Sequence, residues 1–216
     1  LHKMNEYYGR QSVIAVQIST APSTPVKYVS SSTDSLFKSM EEILSWDWGG
    51  AKIVIEHCDA AVGNIPFEKG FLTMEDEVKT LVELKDLNNI GITINWARSA
   101  IEGKNVETPV EHIKLALKNN ILSGLMFSGV SDNDNRYGNW KDMHMPFAQS
   151  FNTKFYEKKS LLTYENIIKT LKLLNVNDLD YLGVKLLSIP IGGSSLKRRV
   201  GVNKDAIKIL NLCNPV

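Results

Sequence analysis

Residues 52–60 read KIVIEHCDA. Ile53, Val54 and Ile55 make a continuous apolar, β-branched run, the pattern of a strand buried on both faces in a parallel sheet. The run ends in Glu56, His57, Cys58 and Asp59, which can ligate metal or move protons. Along a strand successive side chains alternate, so Glu56 and Cys58 share one face and His57 takes the other.

Four further runs have the same character: SVIAVQI (12–18), IGITINWA (90–97), ILSGLMFSGV (121–130) and YLGVKLLSI (181–189). Helical patterns lie between and after them. DSLFKSMEEILSW (34–46) places Leu36, Met40, Ile43 and Leu44 on one face. Thr73, Thr108, Thr163 and Asn203 stand as N-caps before helices over 74–87, 109–120, 164–175 and 204–212, with Pro109 at a first helical position. The first residues, LHKMNEYY, read as the end of a helix stopped at Gly9, so an N-terminal piece is expected to be missing.

Five strand-then-helix units imply an α/β fold with a parallel sheet. A doubly wound open sheet and a (β/α)8 barrel compete. No glycine-rich nucleotide loop follows any strand, and polar residues gather after several strand ends, as at a barrel mouth. The expected fold is therefore the C-terminal five units of a (β/α)8 TIM barrel, in one domain over 1–216, with a loop insertion at 133–161 placed as a lid.

The net charge of +1, from 25 Lys+Arg and 24 Asp+Glu, gives no case for nucleic acid or a membrane surface as partner. No run of about 18 apolar residues exists, so no membrane-spanning helix is expected. Cys58 and Cys213 form no CxxC pair and fit a reducing cytoplasm.

Candidate site residues follow from the strand ends. A carboxylate facing a barrel interior is costly unless it is paired or bound to a cation, which marks Glu56. The structural alternative is a pairing of Glu56 with a basic partner such as Arg98. After the third strand, Asn95 and Arg98 can donate to substrate oxygens; the alternative is an Arg98–Glu102 pair. After the fourth, Asp132, Asp142 and His144 stand out. Asp142 and His144, two apart in an extended segment, would point the same way and could grip one Zn²⁺ or Mn²⁺, or one substrate. Lys197 and Arg198, behind Gly192 and Gly193, make a phosphate loop or a solvated basic one. Trp48, Trp96 and Trp140 could stack on a sugar; Trp46 reads as helix packing.

The segments IVIEHCDA, INWARSAIEG, GLMFSGVSDND and YGNWKDMHMPF resemble the xylose-isomerase-like barrel superfamily, and within it an uncharacterised bacterial branch, a domain of unknown function. The superfamily includes sugar and sugar-phosphate isomerases and epimerases and endonuclease-IV-type repair enzymes. The resemblance implies that Glu56 matches a metal-binding glutamate and that Asp142 and His144 match a D-x-H metal pair. Other ligands are replaced: Asn95 and Arg98 stand where D-x-x-H is expected, Gly129 and Asp132 where H-x-x-D is, and Ser188 where a glutamate is.

It further implies proton transfer beside a sugar carbonyl, with Glu56, Arg98 and His144 catalytic and His57, Asn95, Trp96, Asp132, Asp142, Lys197 and Arg198 binding substrate. One divalent ion at Glu56, Asp142 and His144 is the implied cofactor, although the broken ligand set favours none. The expected partner is a sugar or sugar phosphate, with self-association open. The alternative is a non-catalytic carbohydrate-binding barrel; the nuclease reading is disfavoured by the missing histidines.

Overall fold

The five apolar runs pair in sequence order into a single parallel sheet. The computed structural model describes residues 1–23, 31–84, 89–190 and 193–213. The strands are β1 (Ala15–Ile18), β2 (Lys52–Glu56), β3 (Ile90–Asn95), β4 (Leu122–Phe127) and β5 (Tyr181–Val184). The helices are α1 (His2–Tyr8), α2 (Thr33–Leu44), α3 (Met74–Leu84), α4 (Trp96–Gly103), α5 (Thr108–Lys118), α6 (Tyr164–Leu171) and α7 (Leu196–Cys213). Among the described residues no helix is long and apolar enough to cross a membrane.

The two sheet faces differ chemically. Ile53 and Ile55 of β2, Ile92 and Ile94 of β3, and Leu125 and Phe127 of β4 are buried in one core with Leu81, Leu84, Ile113, Ile167 and Ile209 from the helices. Each such side chain contributes about 1.5–3 kcal/mol, so this face holds the helices on. The opposite face carries Gln17, Glu56, Thr93, Asn95 and Tyr181. Registry puts Glu56 beside Thr93, Thr93 beside Gly124, and Gly124 beside Tyr181.

That polar face is concave. On a flat sheet four spacings of about 4.8 Å would separate β1 from β5 by roughly 19 Å. Instead Gln17 on β1 donates to the Tyr181 hydroxyl on β5 at 2.9 Å, and the same hydroxyl bonds Thr93. Lys52 reaches Asp180 at 2.6 Å in the same way. The sheet is therefore curled into part of a barrel wall. Gly124 permits this, because a Cβ there would lie 2.2 Å from the Tyr181 ring.

Helix starts follow the caps with three corrections. Thr73 and Thr163 accept from Asp76 N and Asn166 N, as expected. Ser32 caps α2 through Ser35 N. Gly9, with φ 62°, ends α1. Asn105, not Thr108, supplies the oxygen at the start of α5, accepting from both Glu107 N and Thr108 N. The last helix begins at Leu196 rather than Lys204, with Ser195 Oγ accepting from Arg198 N. α4 starts directly at Trp96, where the sequence reads as continued strand. Residues 85–87 of the expected 74–87 helix, and 191–192 of the glycine loop, lie outside the described residues.

The 133–161 segment has no helix or strand of its own, yet it is anchored throughout. Gly129 and Met145 exchange two main-chain bonds, Trp140 N donates to Ser131 O, and Leu187 N to His144 O. Tyr137, Met145 and Phe147 are buried within it. Main-chain bonds fasten it at many points to the strand ends beside it.

Candidate functional site

Three carboxylates and three cations converge at the C-terminal ends of β2, β3 and β5. Glu56, the last residue of β2, is turned onto the concave face and is 7% exposed. Asn95 Nδ2 donates to its Oε1 at 3.2 Å, and Ser128 Oγ holds Asn95 by donating to Oδ1 at 2.7 Å. Arg98 Nη1 stands 3.1 Å from Glu56 Oε2, and Lys185 Nζ 3.4 Å from Oε1.

Arg98 extends the group to the long loop. Its Nε donates to Asp142 Oδ2 at 3.1 Å, and Lys69 Nζ reaches the same oxygen at 2.5 Å. Asp59 fixes the Lys69 loop, accepting from Glu68 N and Lys69 N. Asp142 Oδ1 lies 3.0 Å from His144 Nδ1. The two are not brought together by an extended chain. Met143 N donates to Lys141 O in a turn, and His144 adopts φ 49°.

The electrostatics follow from burial against pairing. Burial pushes the Asp142 carboxyl up, but His144, Lys69 and Arg98 outweigh it and hold its pKa well below the usual carboxylate range. Burial also opposes charge on Arg98, and the Glu56 and Asp142 carboxylates drive its pKa up. Cys58, buried on the same side, has its thiol pushed up by that burial despite Arg98, so it stays protonated.

A divalent ion at Glu56, Asp142 and His144 does not fit this donor set. Arg98 bridges the two carboxylates, Lys185 stands against the other Glu56 oxygen and Lys69 against the Asp142 oxygen that Arg98 already holds, so an ion would have to expel a guanidinium. Nor is there room for a histidine at Gly129. A Cβ there would meet Ser160 Oγ at 2.4 Å and Met145 O at 2.8 Å.

Other expected residues lie elsewhere. His57 is on the outer side of the sheet, fully buried, with Nδ1 2.7 Å from Glu77 and Nε2 3.0 Å from Glu102. Burial opposes its charge, but Glu77 and Glu102 raise its pKa to about 10. Glu102 pairs with His57 and His112, not with Arg98. Trp96 is fully buried in the helix layer, its indole N–H donating to Thr170, and so touches no substrate. Trp46 is half exposed, donates to Glu42 and stacks on Trp48. Trp140 lies beneath Lys104. Asp132 is exposed and bonded to Asn133. Lys197 is exposed in the first turn of α7, and Arg198 is held by Glu157, so neither joins the group.

Lys69 and Lys185 are the site residues that sequence reasoning missed. Lys185 carried a signal: a lone cation in the apolar run YLGVKLLSI. Lys69 carried none, since only a long-range contact gives it meaning.

A curled parallel sheet with charged groups at its strand ends is part of a TIM-barrel wall. The chain is similar to a xylose isomerase domain protein from Alicyclobacillus acidocaldarius, with a TM-score of 0.57 and 13% identity over 98% of this chain and 69% of that one. The sequence narrows the class. Residues 1–202 match the family described as a domain of unknown function (DUF4862), and the chain belongs to it. It is 34% identical to an uncharacterized protein of Salmonella typhimurium over 210 residues, covering 96% of this chain. The chain spans 63% of the length of that relative.

Proposed function

We propose that the chain carries the reaction-side wall of a sugar or sugar-phosphate isomerase- or epimerase-like barrel that works without a metal at Glu56. The observation behind this is the Arg98 guanidinium set between Glu56 and Asp142 beside a part-exposed His144. Oxygens of a bound sugar compete for the donors that Asn95 and Lys185 now give to Glu56 and take up Arg98 Nη1, which has no hydrogen-bond partner among the described residues. The released carboxylate takes a proton from the carbon next to the carbonyl. Arg98 stabilises the negative oxygen of the resulting enediolate. His144, oriented by Asp142, returns a proton from the other side.

A full-length protein assayed on aldoses, ketoses and their phosphates should turn over at least one, and Glu56→Gln should abolish that turnover. No turnover on the panel, or full activity in Glu56→Gln, overturns the reading.

The second reading is a carbohydrate-binding barrel without catalysis. It is favoured by the mutual neutralisation of the group, in which Asn95, Arg98 and Lys185 all engage Glu56. Saturable sugar binding by calorimetry, with no product, would select it.

A further inference from the structure

A second charged group lies behind the first, on the outer side of the sheet. It joins His57, just past β2, to Glu102 on α4 and His112 on α5, all at most 8% exposed. Ligand-capable atoms of these three residues lie within 4.8 Å of one another. We propose that His57, Glu102 and His112 form a structural divalent-metal site, Zn²⁺ by its donor set, tying the end of β2 to α4 and α5.

Glu102 faces the two imidazoles across its two oxygens, Oε2 also accepting from Ala60 N at 2.8 Å. A charge-assisted N–H···O bond runs about 2.7–2.9 Å. His57 Nδ1 to Glu77 Oε2, at 2.7 Å, has that length. His57 Nε2 to Glu102 Oε2 is 3.0 Å and His112 Nε2 to Glu102 Oε1 is 3.3 Å. Two donors on a tetrahedral Zn²⁺, each about 2.0–2.1 Å from the ion, stand roughly 3.3 Å apart. The pairs facing Glu102 therefore approach ligand spacing.

The ring nitrogens turned away from Glu102 are occupied as metal-bound imidazoles require. Nδ1 of His57 faces the Glu77 carboxylate, itself held by Thr20 Oγ1 at 2.8 Å, and Nδ1 of His112 faces Ser99 Oγ at 3.0 Å. The Glu77 carboxylate, an acceptor, holds the N–H on His57 Nδ1 and leaves Nε2 for the ion, and Ser99 Oγ accepts in the same way when His112 binds through Nε2. Binding displaces the proton between His57 Nε2 and Glu102 to solvent, and water completes the coordination shell. The donor set is two imidazoles and a carboxylate with no guanidinium or ammonium among them, unlike that around Glu56.

The test is elemental analysis and Co²⁺ substitution of the full chain refolded with Zn²⁺ or Co²⁺ and dialysed. Stoichiometric Zn²⁺, and a strong visible absorption from four-coordinate Co²⁺, are expected. Glu102→Gln and His112→Gln should lose both, Glu77→Gln should weaken Zn²⁺ affinity about 10- to 100-fold, and Glu56→Gln should retain the metal. Native far-ultraviolet dichroism of each variant excludes loss through misfolding. If wild type takes up no stoichiometric metal, or the metal follows Glu56 and survives Glu102→Gln, the proposal is overturned.

Discussion

Arg98 Nη1 meets Glu56 Oε2 at 3.1 Å, while the Nε of the same guanidinium donates to Asp142. One cation thus joins a strand end to a loop that lies 44 residues further along the chain than Arg98 itself. Glu56 is what a barrel strand presents to its interior, and Arg98 makes that presentation tolerable.

Removing Arg98 should therefore unfold more than it frees. Arg98→Ala leaves Glu56 and Asp142 buried with fewer partners, and should cost about 3–5 kcal/mol in guanidinium unfolding. Arg98→Lys keeps the charge but loses the fork, and should cost less. A loss below about 1 kcal/mol for Arg98→Ala would mean that Lys69 and Lys185 suffice.

Asp142 makes stability depend on pH in a stated direction. Its folded pKa is depressed below the unfolded value of about 3.9, so its contribution is fully present above that value. It is lost as pH falls below the unfolded value toward the folded one. The stability gap between wild type and Asp142→Asn should be widest at neutral pH and shrink steadily below about pH 4. A gap that does not change with pH would contradict the pairing.

His144 is 24% exposed, and nothing packs through it as through Trp96. His144→Asn keeps a side-chain N–H that can face Asp142 and tolerates φ 49°, so it should cost about 1 kcal/mol or less. If the isomerase reading holds, the same variant should lose sugar turnover in the full-length protein. Unchanged kinetics would remove His144 from the acid–base role.

Gly124→Ala tests the curl of the sheet. The added Cβ meets the Tyr181 ring at 2.2 Å and must push it away from Gln17 and Thr93. Overpacking of this kind costs about 1–3 kcal/mol, readable as a lower Tm. A Tm equal to wild type would show that Tyr181 moves freely.

How much of this was legible beforehand depends on range. KIVIEHCDA announces a strand and a charged terminus because apolar periodicity is local, and the threonine caps announce helices for the same reason. Glu56, Arg98, Asp142 and His144 could be singled out because they are charged groups at strand ends and in the long loop. Trp96 misled, since an aromatic beside a strand end reads alike whether it faces a ligand or a helix. Glu77 and His112 interrupt apolar helix faces, a signal that gains meaning only once His57 is seen opposite.

The sequence by itself determined the parallel α/β architecture and the order of the strands, and it marked Glu56, Arg98, Asp142 and His144 as charged groups at strand ends and in the long loop. Only the tertiary structure decided their company: Arg98 and Lys185 against Glu56, Lys69 against Asp142, and His57 with Glu102 and His112 behind the sheet. The reason is physical. Backbone preference acts over a few residues, whereas charges buried in a low-dielectric interior must find partners, and those partners come from distant parts of the chain.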